Sequence, residues 1–349
     1  MYPALAVFQA LLAKQTDVEI LWVGSESGME AELVKRAGLP YTAIPAGGLH
    51  GVGLRVLPRN LTQLTRGFFA SRKILRDFKP DVLFFTGGYV AGPMAFAGRH
   101  IPTLLYVPDI EPGLALKSLS RFADRIAVSV DDSQKYFSKK VVTTGYPLRP
   151  DLQEWTRKKG RAALKLDDDL PVLLVVGGSK GARTINEALI PQLPTLLDMT
   201  QIVHLTGQLD WKAADTAKGG LTSAQQKRYQ VHPYLHEQMG AALASADLVI
   251  ARAGASTLGE YPFFGLPAIL VPYPFAWRYQ KVNADYLVQR GAAVLLPDER
   301  LGDDFLKVVR DLLKNPSKRQ AMKSAMKSLV KPRAAEAIAE QLMELGGKR

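Results

Sequence analysis

Two doubly wound α/β domains are the architecture this chain predicts, and three observations predict it. Apolar runs of strand length alternate with helical patterns nearly from end to end, as in parallel sheets covered on both faces. The alternation pauses near residue 150 and restarts at Val172. Each half also carries a glycine-rich loop directly after an apolar strand. At 349 residues the chain is too long for one ordinary core, so two domains are expected on size as well.

The chain opens Met1-Tyr2-Pro3-Ala4-Leu5-Ala6-Val7, the first turn of a helix with Pro where its missing N–H is harmless. No strand precedes it. The central strand of a doubly wound sheet usually comes first, so the first sheet is expected to lack an inner member and the natural polypeptide to start upstream. Strands are expected at Val18–Val23, Asp81–Phe85, Thr103–Tyr106, Arg125–Ser129 and Val141–Thr144. A second set follows at Val172–Val176, Gln201–Leu205, Leu248–Ala251, Ala268–Val271 and Ala293–Leu296. Ser27-Gly28-Met29-Glu30 reads as a capping box. Gly145-Tyr146-Pro147-Leu148-Arg149-Pro150 and the polar stretch to Asp169 read as the linker. The domains are therefore placed at 1–148 and 149–331.

Composition narrows the function. With no cysteine, disulfides, thiol catalysis and thiolate metal sites are excluded, and five scattered histidines argue against a histidine-rich metal site. No run is long enough to span a bilayer and no signal-peptide pattern opens the chain. The net charge of +12 implies an anionic partner. Zinc-finger spacing, an aromatic RNA-binding signature and a basic tail are all missing, which disfavours nucleic acid. A phosphorylated substrate at an anionic membrane remains. Asp131-Asp132 lacks Asp-x-Asp spacing and reads as a helix cap, and Asp167-Asp168-Asp169 as linker charge, so no metal and no cofactor are expected.

The loop Gly177-Gly178-Ser179-Lys180-Gly181-Ala182-Arg183-Thr184-Ile185-Asn186 follows the Val172–Val176 run and opens a helix. Bare backbone N–H groups at a helix start suit an anion, and glycine lets a phosphate approach closely. A tight structural turn is the alternative. The second loop, Gly87-Gly88-Tyr89-Val90-Ala91-Gly92-Pro93, has the same strand–loop–helix setting. One loop per domain, facing across a cleft, would suit a diphosphate donor on one side and a phosphorylated acceptor on the other.

The pair GGYVAGP and GGSKGARTIN resembles the MurG family of glycosyltransferases. Also similar are the opening YPALAV, the segment Gly145–Arg149, Arg252-Ala253-Gly254-Ala255-Ser256-Thr257-Leu258-Gly259-Glu260, Gly265–Pro272, and Gln280 with Asn283-Ala284. The resemblance runs from end to end. It implies a GT-B fold, two Rossmann-like domains with an interdomain cleft, and a closing helix over 332–349 that returns to the first domain. It also implies inverting transfer of N-acetylglucosamine from UDP-N-acetylglucosamine to undecaprenyl-diphosphate-linked N-acetylmuramoyl pentapeptide, lipid I to lipid II, in peptidoglycan synthesis. The expected location is peripheral, at the cytoplasmic face of the cell membrane.

Carried onto this chain, the resemblance gives Ser179 to the donor diphosphate and Arg149 to the charge growing on departing UDP. Ala255, Ser256, Thr257 and Leu258 would begin a helix whose N-terminal amides face the sugar or phosphate, and Gly259 is counted with them among the substrate-binding residues. Glu260 would accept from the ribose hydroxyls, Gln280 would bond the sugar hydroxyls, and Leu235 would meet uracil. Gly87, Gly88 and Tyr89 form the acceptor-side loop. Plain structural readings stand beside these: a cap for Ser179, a linker charge for Arg149, solvated helix positions for Glu260 and Gln280. Two departures stand out. Tyr106-Val107-Pro108-Asp109 replaces the family's His-Glu-Gln-Asn, and Asp109 cannot donate as Asn does when ionised. The family's GGTGGH loop, whose final His is often proposed as the base, would lie before Met1, so no catalytic residue is assigned.

From Arg55 to Arg76 the chain carries Arg55, Arg59, Arg66, Arg72, Lys73 and Arg76, interleaved with Leu54, Val56, Leu57, Leu61, Leu64, Phe68 and Phe69. A basic, aromatic, amphipathic segment suits an anionic lipid surface, against the alternative of a core-facing helix with a solvated basic side. A UDP-sugar 2-epimerase, another lipid glycosyltransferase of this fold, or a non-catalytic UDP-sugar-binding protein are the competing functions.

Overall fold

Apolar runs closed by glycine become parallel strands in both halves of the chain. The computed structural model describes residues 1–26, 30–47, 57–138, 140–178, 181–275 and 279–347. By contact the chain divides into Met1–Arg149 with Lys331–Arg349, and Pro150–Val330. The expected capping box falls at 27–30, largely outside the described residues.

In the first unit, β1 (Trp22–Ser25) pairs with β2 (Tyr41–Ile44), while β3 (Leu83–Phe85), β4 (Thr103–Val107), β5 (Arg125–Val128) and β6 (Val141–Thr143) form a separate sheet in that order. All pairings are parallel. β1 starts four residues later than the apolar run at 18–21 suggested, because Trp22 N–H is the first to bond across, to Pro40 O. Phe8 of the Tyr2–Lys14 helix meets Trp22 of β1 at 5.6 Å and Phe84 of β3 at 6.4 Å. Aromatic packing, not a hydrogen-bond ladder, thus links the two sheets.

The closing helix, Ala334–Gly346, buries Ile338 and Leu342 with Val7, Leu104, Tyr106 and Ala127. Buried Arg125 donates to Gln341 Oε1 and Glu344 Oε2, each at 2.6 Å, and Lys14 pairs with Glu340 at 2.7 Å. The C-terminal segment is therefore a working part of the first unit.

The second unit holds one six-stranded parallel sheet: β7 (Val172–Val176), β8 (Gln201–Leu205), β9 (Tyr229–His232), β10 (Leu248–Ala251), β11 (Ala268–Leu270) and β12 (Ala293–Leu295). Their order is β12-β11-β10-β7-β8-β9. Helix Leu301–Lys314 buries Leu301, Phe305, Val309 and Leu312, a single stripe at helical spacing, against the core of Leu173, Val175, Ile202, Ile250 and Ile269.

The stretch read as linker is folded. Helix Arg157–Ala163, capped by Thr156, packs within the second unit, and Arg161 is almost fully buried. Its guanidinium donates to Asp167 O, Leu170 O and Asp247 Oδ2. Asp167 N–H donates in turn to Gln201 Oε1 at 2.7 Å. The Asp167, Asp168 and Asp169 side chains stay exposed, as the reading of solvated charge expects; it is the main chain of this segment, through Asp167 O and Leu170 O, that holds the buried arginine. Asp131 and Asp132 lie in the first turn of a 3₁₀ helix whose N-cap is Val130, so neither is the cap, and Asp131 lies 3.6 Å from Lys331.

Candidate active site

The chain reverses its direction of strand addition at β7: β8 lies on one side and β10 on the other. Loops that leave such neighbouring strands diverge and open a crevice at the carboxyl ends of the strands. Val176 of β7 stands opposite Ala251 of β10, and Ala251 opposite Leu270 of β11. Gly177, Arg252 and Val271 therefore leave the sheet at one level, side by side.

After β7 the glycine loop is shaped by contact. A Cβ on Gly177 would come within 2.7 Å of Ala182 N, and one on Gly181 within 2.7 Å of Thr206 O. Gly178 has φ +75° with open space where a side chain would sit. It is glycine for its backbone conformation, not for want of room. Ser179 and Lys180 lie outside the described residues. Helix Arg183–Leu189 follows.

Below the loop runs a buried polar chain. Asn186 Nδ2 donates to Thr206 O at 3.0 Å and to Asp210 Oδ2 at 2.8 Å, so its Oδ1 is an acceptor. His204 Nε2 lies 2.9 Å from that oxygen and must carry the proton, which leaves Nδ1 to accept from Tyr229 O–H at 2.8 Å. Burial holds the His204 imidazole neutral, its pKa lowered to about 3, and pushes the Tyr229 phenol up. The chain joins β9 and β8 to the helix after the glycine loop and to the loop at 206–210.

Beyond β10, Ala255–Leu258 forms a 3₁₀ turn, not the start of an α-helix as expected. Thr257 N–H and Thr257 Oγ1 both bond Gly254 O, at 3.0 and 2.7 Å, which tightens the turn. Gly259 breaks the run with φ −124°, and helix Glu260–Phe264 begins after it, with Glu260 half-buried in its first turn. Asn283 of helix Tyr279–Gln289, fully buried, donates to Ala253 O at 3.1 Å. Gln280 Oε1 accepts from Tyr273 N–H at 2.9 Å, so a ligand bond from Gln280 would fall to its amide nitrogen. Leu235 is buried, and Tyr234 and His236 beside it pack ring to ring at 4.6 Å. A base meeting this position would meet main chain.

Arg252 carried no role in the sequence reading, and Asp298 was not singled out. Arg252 is largely buried, donates to Asp298 Oδ1, to Thr184 Oγ1 at 2.8 Å and to Val271 O at 3.2 Å, and stacks on Tyr273 at 5.2 Å. A charged residue directly after an apolar strand run, as Arg252 after Leu248–Ala251, is the signal that could have marked it.

The remaining predicted residues belong to the first unit. Gly87 and Gly88, both with positive φ, follow β3, and Tyr89 is exposed. Asp109 follows β4; Ser129 Oγ donates to Pro108 O at 2.8 Å and bonds Tyr106 O–H at 2.9 Å, which fixes this turn. Arg149, the last residue of the unit's first segment, stacks on Tyr2 at 4.5 Å.

Of the basic segment, Arg55, Leu54, Val56 and the Leu57 side chain lie outside the described residues. Helix Leu57–Phe78 buries Asn60, Gly67 and Ser71 and exposes Arg59, Arg66, Arg72, Lys73 and Arg76. Phe69, Phe68, Phe96 and Phe122 form an aromatic row with steps of 5.5, 5.5 and 6.3 Å, and all but Phe68 are exposed. Arg99 reaches over Phe96 at 6.0 Å. No helix among the described residues is long and apolar enough to cross a membrane.

The glycosyltransferase family 28 N-terminal domain matches residues 1–128, and the family's C-terminal domain matches residues 172–341. The chain belongs to glycosyltransferase family 28. A Desulforudis audaxviator relative named UDP-N-acetylglucosamine–N-acetylmuramyl-(pentapeptide) pyrophosphoryl-undecaprenol N-acetylglucosamine transferase is 41% identical, over 100% of this chain and 96% of its own. A Roseiflexus relative of the same name is 38% identical over 97% and 91%. The crystal structure of Acinetobacter baumannii MurG superposes with a TM-score of 0.73 at 29% identity, covering 98% of this chain and 95% of that one. Within family 28 the chain thus falls in the MurG group, and its fold is GT-B. A Neisseria meningitidis UDP-GlcNAc 2-epimerase superposes at 0.70 with 14% identity over 98% and 96%, a likeness of fold alone.

Proposed function

We propose that this chain is the UDP-N-acetylglucosamine-dependent transferase that converts lipid I to lipid II. It moves N-acetylglucosamine to undecaprenyl-diphosphate-linked N-acetylmuramoyl pentapeptide. What carries the reading is identity of 41% along the whole chain to a relative of that name, with the glycine loop and the 253–260 turn side by side at the switch point. The acceptor 4-hydroxyl attacks the anomeric carbon, the bond to the UDP oxygen breaks, and configuration inverts. The diphosphate rests on main-chain amides at Gly178 and at Ala255–Gly259, where preorganised donors meet growing charge without reorganising, and Ser179, outside the described residues, is given to the same diphosphate. Glu260 takes the ribose hydroxyls, Gln280 a sugar hydroxyl through its amide nitrogen, and Leu235 the uracil through main chain. Arg149 offsets charge on the leaving UDP, and Gly87, Gly88, Tyr89 and Asp109 serve the acceptor.

The acceptor is lipid-linked, and the aromatic row Phe69–Phe122 flanked by Arg66, Arg72 and Lys73 has the chemistry of an anionic bilayer contact. The enzyme works as a peripheral protein at the cytoplasmic face, without nucleic acid, metal or cofactor.

Incubation with UDP-N-acetylglucosamine, with and without lipid I, tests the reaction. UDP release and lipid II formation only with lipid I are expected; epimerised UDP-sugar without lipid I overturns it. Glu260→Ala should weaken UDP binding about tenfold by calorimetry, the scale of hydrogen bonds to a carboxylate. Unchanged binding places the ribose elsewhere.

A further inference from the structure

Three groups far apart in sequence close a ring beside the candidate site. Arg252 bonds Asp298 Oδ1 through one guanidinium nitrogen and Thr184 Oγ1 through the other, and Thr184 O–H donates to Asp298 Oδ1 at 2.8 Å. Each group sits at an element end that shapes the crevice: Thr184 in the helix after the glycine loop, Arg252 at the exit of β10, and Asp298 just after β12. Arg252 also holds Val271 O at the exit of β11.

We propose that Arg252, Asp298 and Thr184 form a latch that fixes the glycine loop relative to the 253–257 turn, and are positioning residues for a nucleoside diphosphate held between them. This rests on the reading of those two loops as the UDP cradle. Two independent backbone segments must present donors to one diphosphate, and their separation has to be correct to a fraction of an ångström. The sheet sets the level at which Gly177 and Arg252 emerge, but the loops beyond it need a cross-tie. The latch supplies one. Asp298 balances the Arg252 charge, and three of its guanidinium N–H bonds go to Asp298, Thr184 and Val271, so we assign Arg252 to holding loops rather than to touching phosphate. Thr184 is the hinge of the design because its hydroxyl donates and accepts at once.

The test is calorimetric binding of UDP to the full-length protein, with thermal melting of every variant. Wild type binds UDP. Thr184→Val keeps the side-chain shape and removes both hydroxyl bonds; affinity should fall about tenfold, the scale of one hydrogen bond to a charged group. Thr184→Ser keeps the hydroxyl and should stay within about twofold of wild type, well inside the 1.4 kcal/mol that a tenfold change represents. Asp298→Asn, also isosteric, should weaken binding severalfold. The latch is overturned if Thr184→Val binds UDP as wild type does, if Thr184→Ser falls as far as Thr184→Val, or if Asp298→Asn binds unchanged or more tightly, as a freed Arg252 reaching phosphate would produce. A wild type that binds no UDP overturns the cradle itself and the latch with it.

Discussion

The two units are built on the same strand–helix alternation and differ in how their sheets are finished. The second has six strands in one continuous sheet, with a buried polar chain and the Arg252 latch behind its loops. The first has two strands and four in separate sheets, joined at β1 and β3 by the ring of Phe8. A site that must hold two loops in register is better placed where hydrogen bonds brace the strand ends. An apolar, basic outer face needs no such bracing, since contact with a lipid surface is non-directional. The comparison fits the proposed division of labour, nucleotide binding in the second unit and membrane contact in the first.

Cutting the buried chain should have the largest effect. Asn186→Leu leaves His204 Nε2–H, Thr206 O and Asp210 without their partner, and should cost about 3 kcal/mol of stability by urea unfolding. UDP binding should weaken with it while vesicle binding stays at the wild-type level. Arg72→Ala with Lys73→Ala should do the reverse. Loss of two exposed charges should cost about 2 kcal/mol of partitioning onto phosphatidylserine vesicles in sedimentation assays, with UDP affinity unchanged. An effect of either variant on the other property breaks the division of labour.

Acid should strike the second unit next. The folded imidazole of His204 resists protonation down to about 3, whereas an unfolded one accepts a proton below about 6.5. The unfolded state binds more protons in that window, so stability present above it is lost as pH falls, at up to about 1.4 kcal/mol per pH unit. Urea midpoints at neutral and mildly acidic pH should show this, and His204→Gln should flatten the dependence. His232, also held down by burial and by Lys218, adds a smaller slope of the same sign.

The smallest effect concerns the interrupted sheet. Leu83 N–H bonds Pro102 O, so the next residue, Phe84, directs its N–H away from β4, toward a side where the described residues hold no paired strand. Its amide should exchange with deuterium at least about tenfold faster than that of Leu174 in central β7, a difference of about 1.4 kcal/mol in opening. Equal protection would mean the first unit's sheet is as well braced as the second.

Long apolar strands and their glycine loops were legible because local backbone constraints write them directly. Val172–Val176 and Gln201–Leu205 fall at their expected bounds, and Gly178 has the left-handed conformation its place in the loop demands. β2 and β9 were missed. Each has four residues and only two or fewer fully buried side chains, too little apolar pattern to stand out. The 252–260 segment was found as a motif, but Ala255–Leu258 was read as the start of a helix and is a 3₁₀ turn, since whether Gly259 continues or breaks a turn depends on what packs around it.

By itself the sequence determined the fold class, the two glycine loops and membership of the MurG group, all properties of contiguous segments. Tertiary structure alone decided that Pro150–Asp169 is folded, that the first unit's strands divide between two sheets, and that Thr184 meets Asp298 across 114 positions. The reason is physical. Short-range patterns fix φ, ψ and which face is apolar, but which distant polar groups meet follows from strand order, and here β12-β11-β10-β7 brings them to one edge.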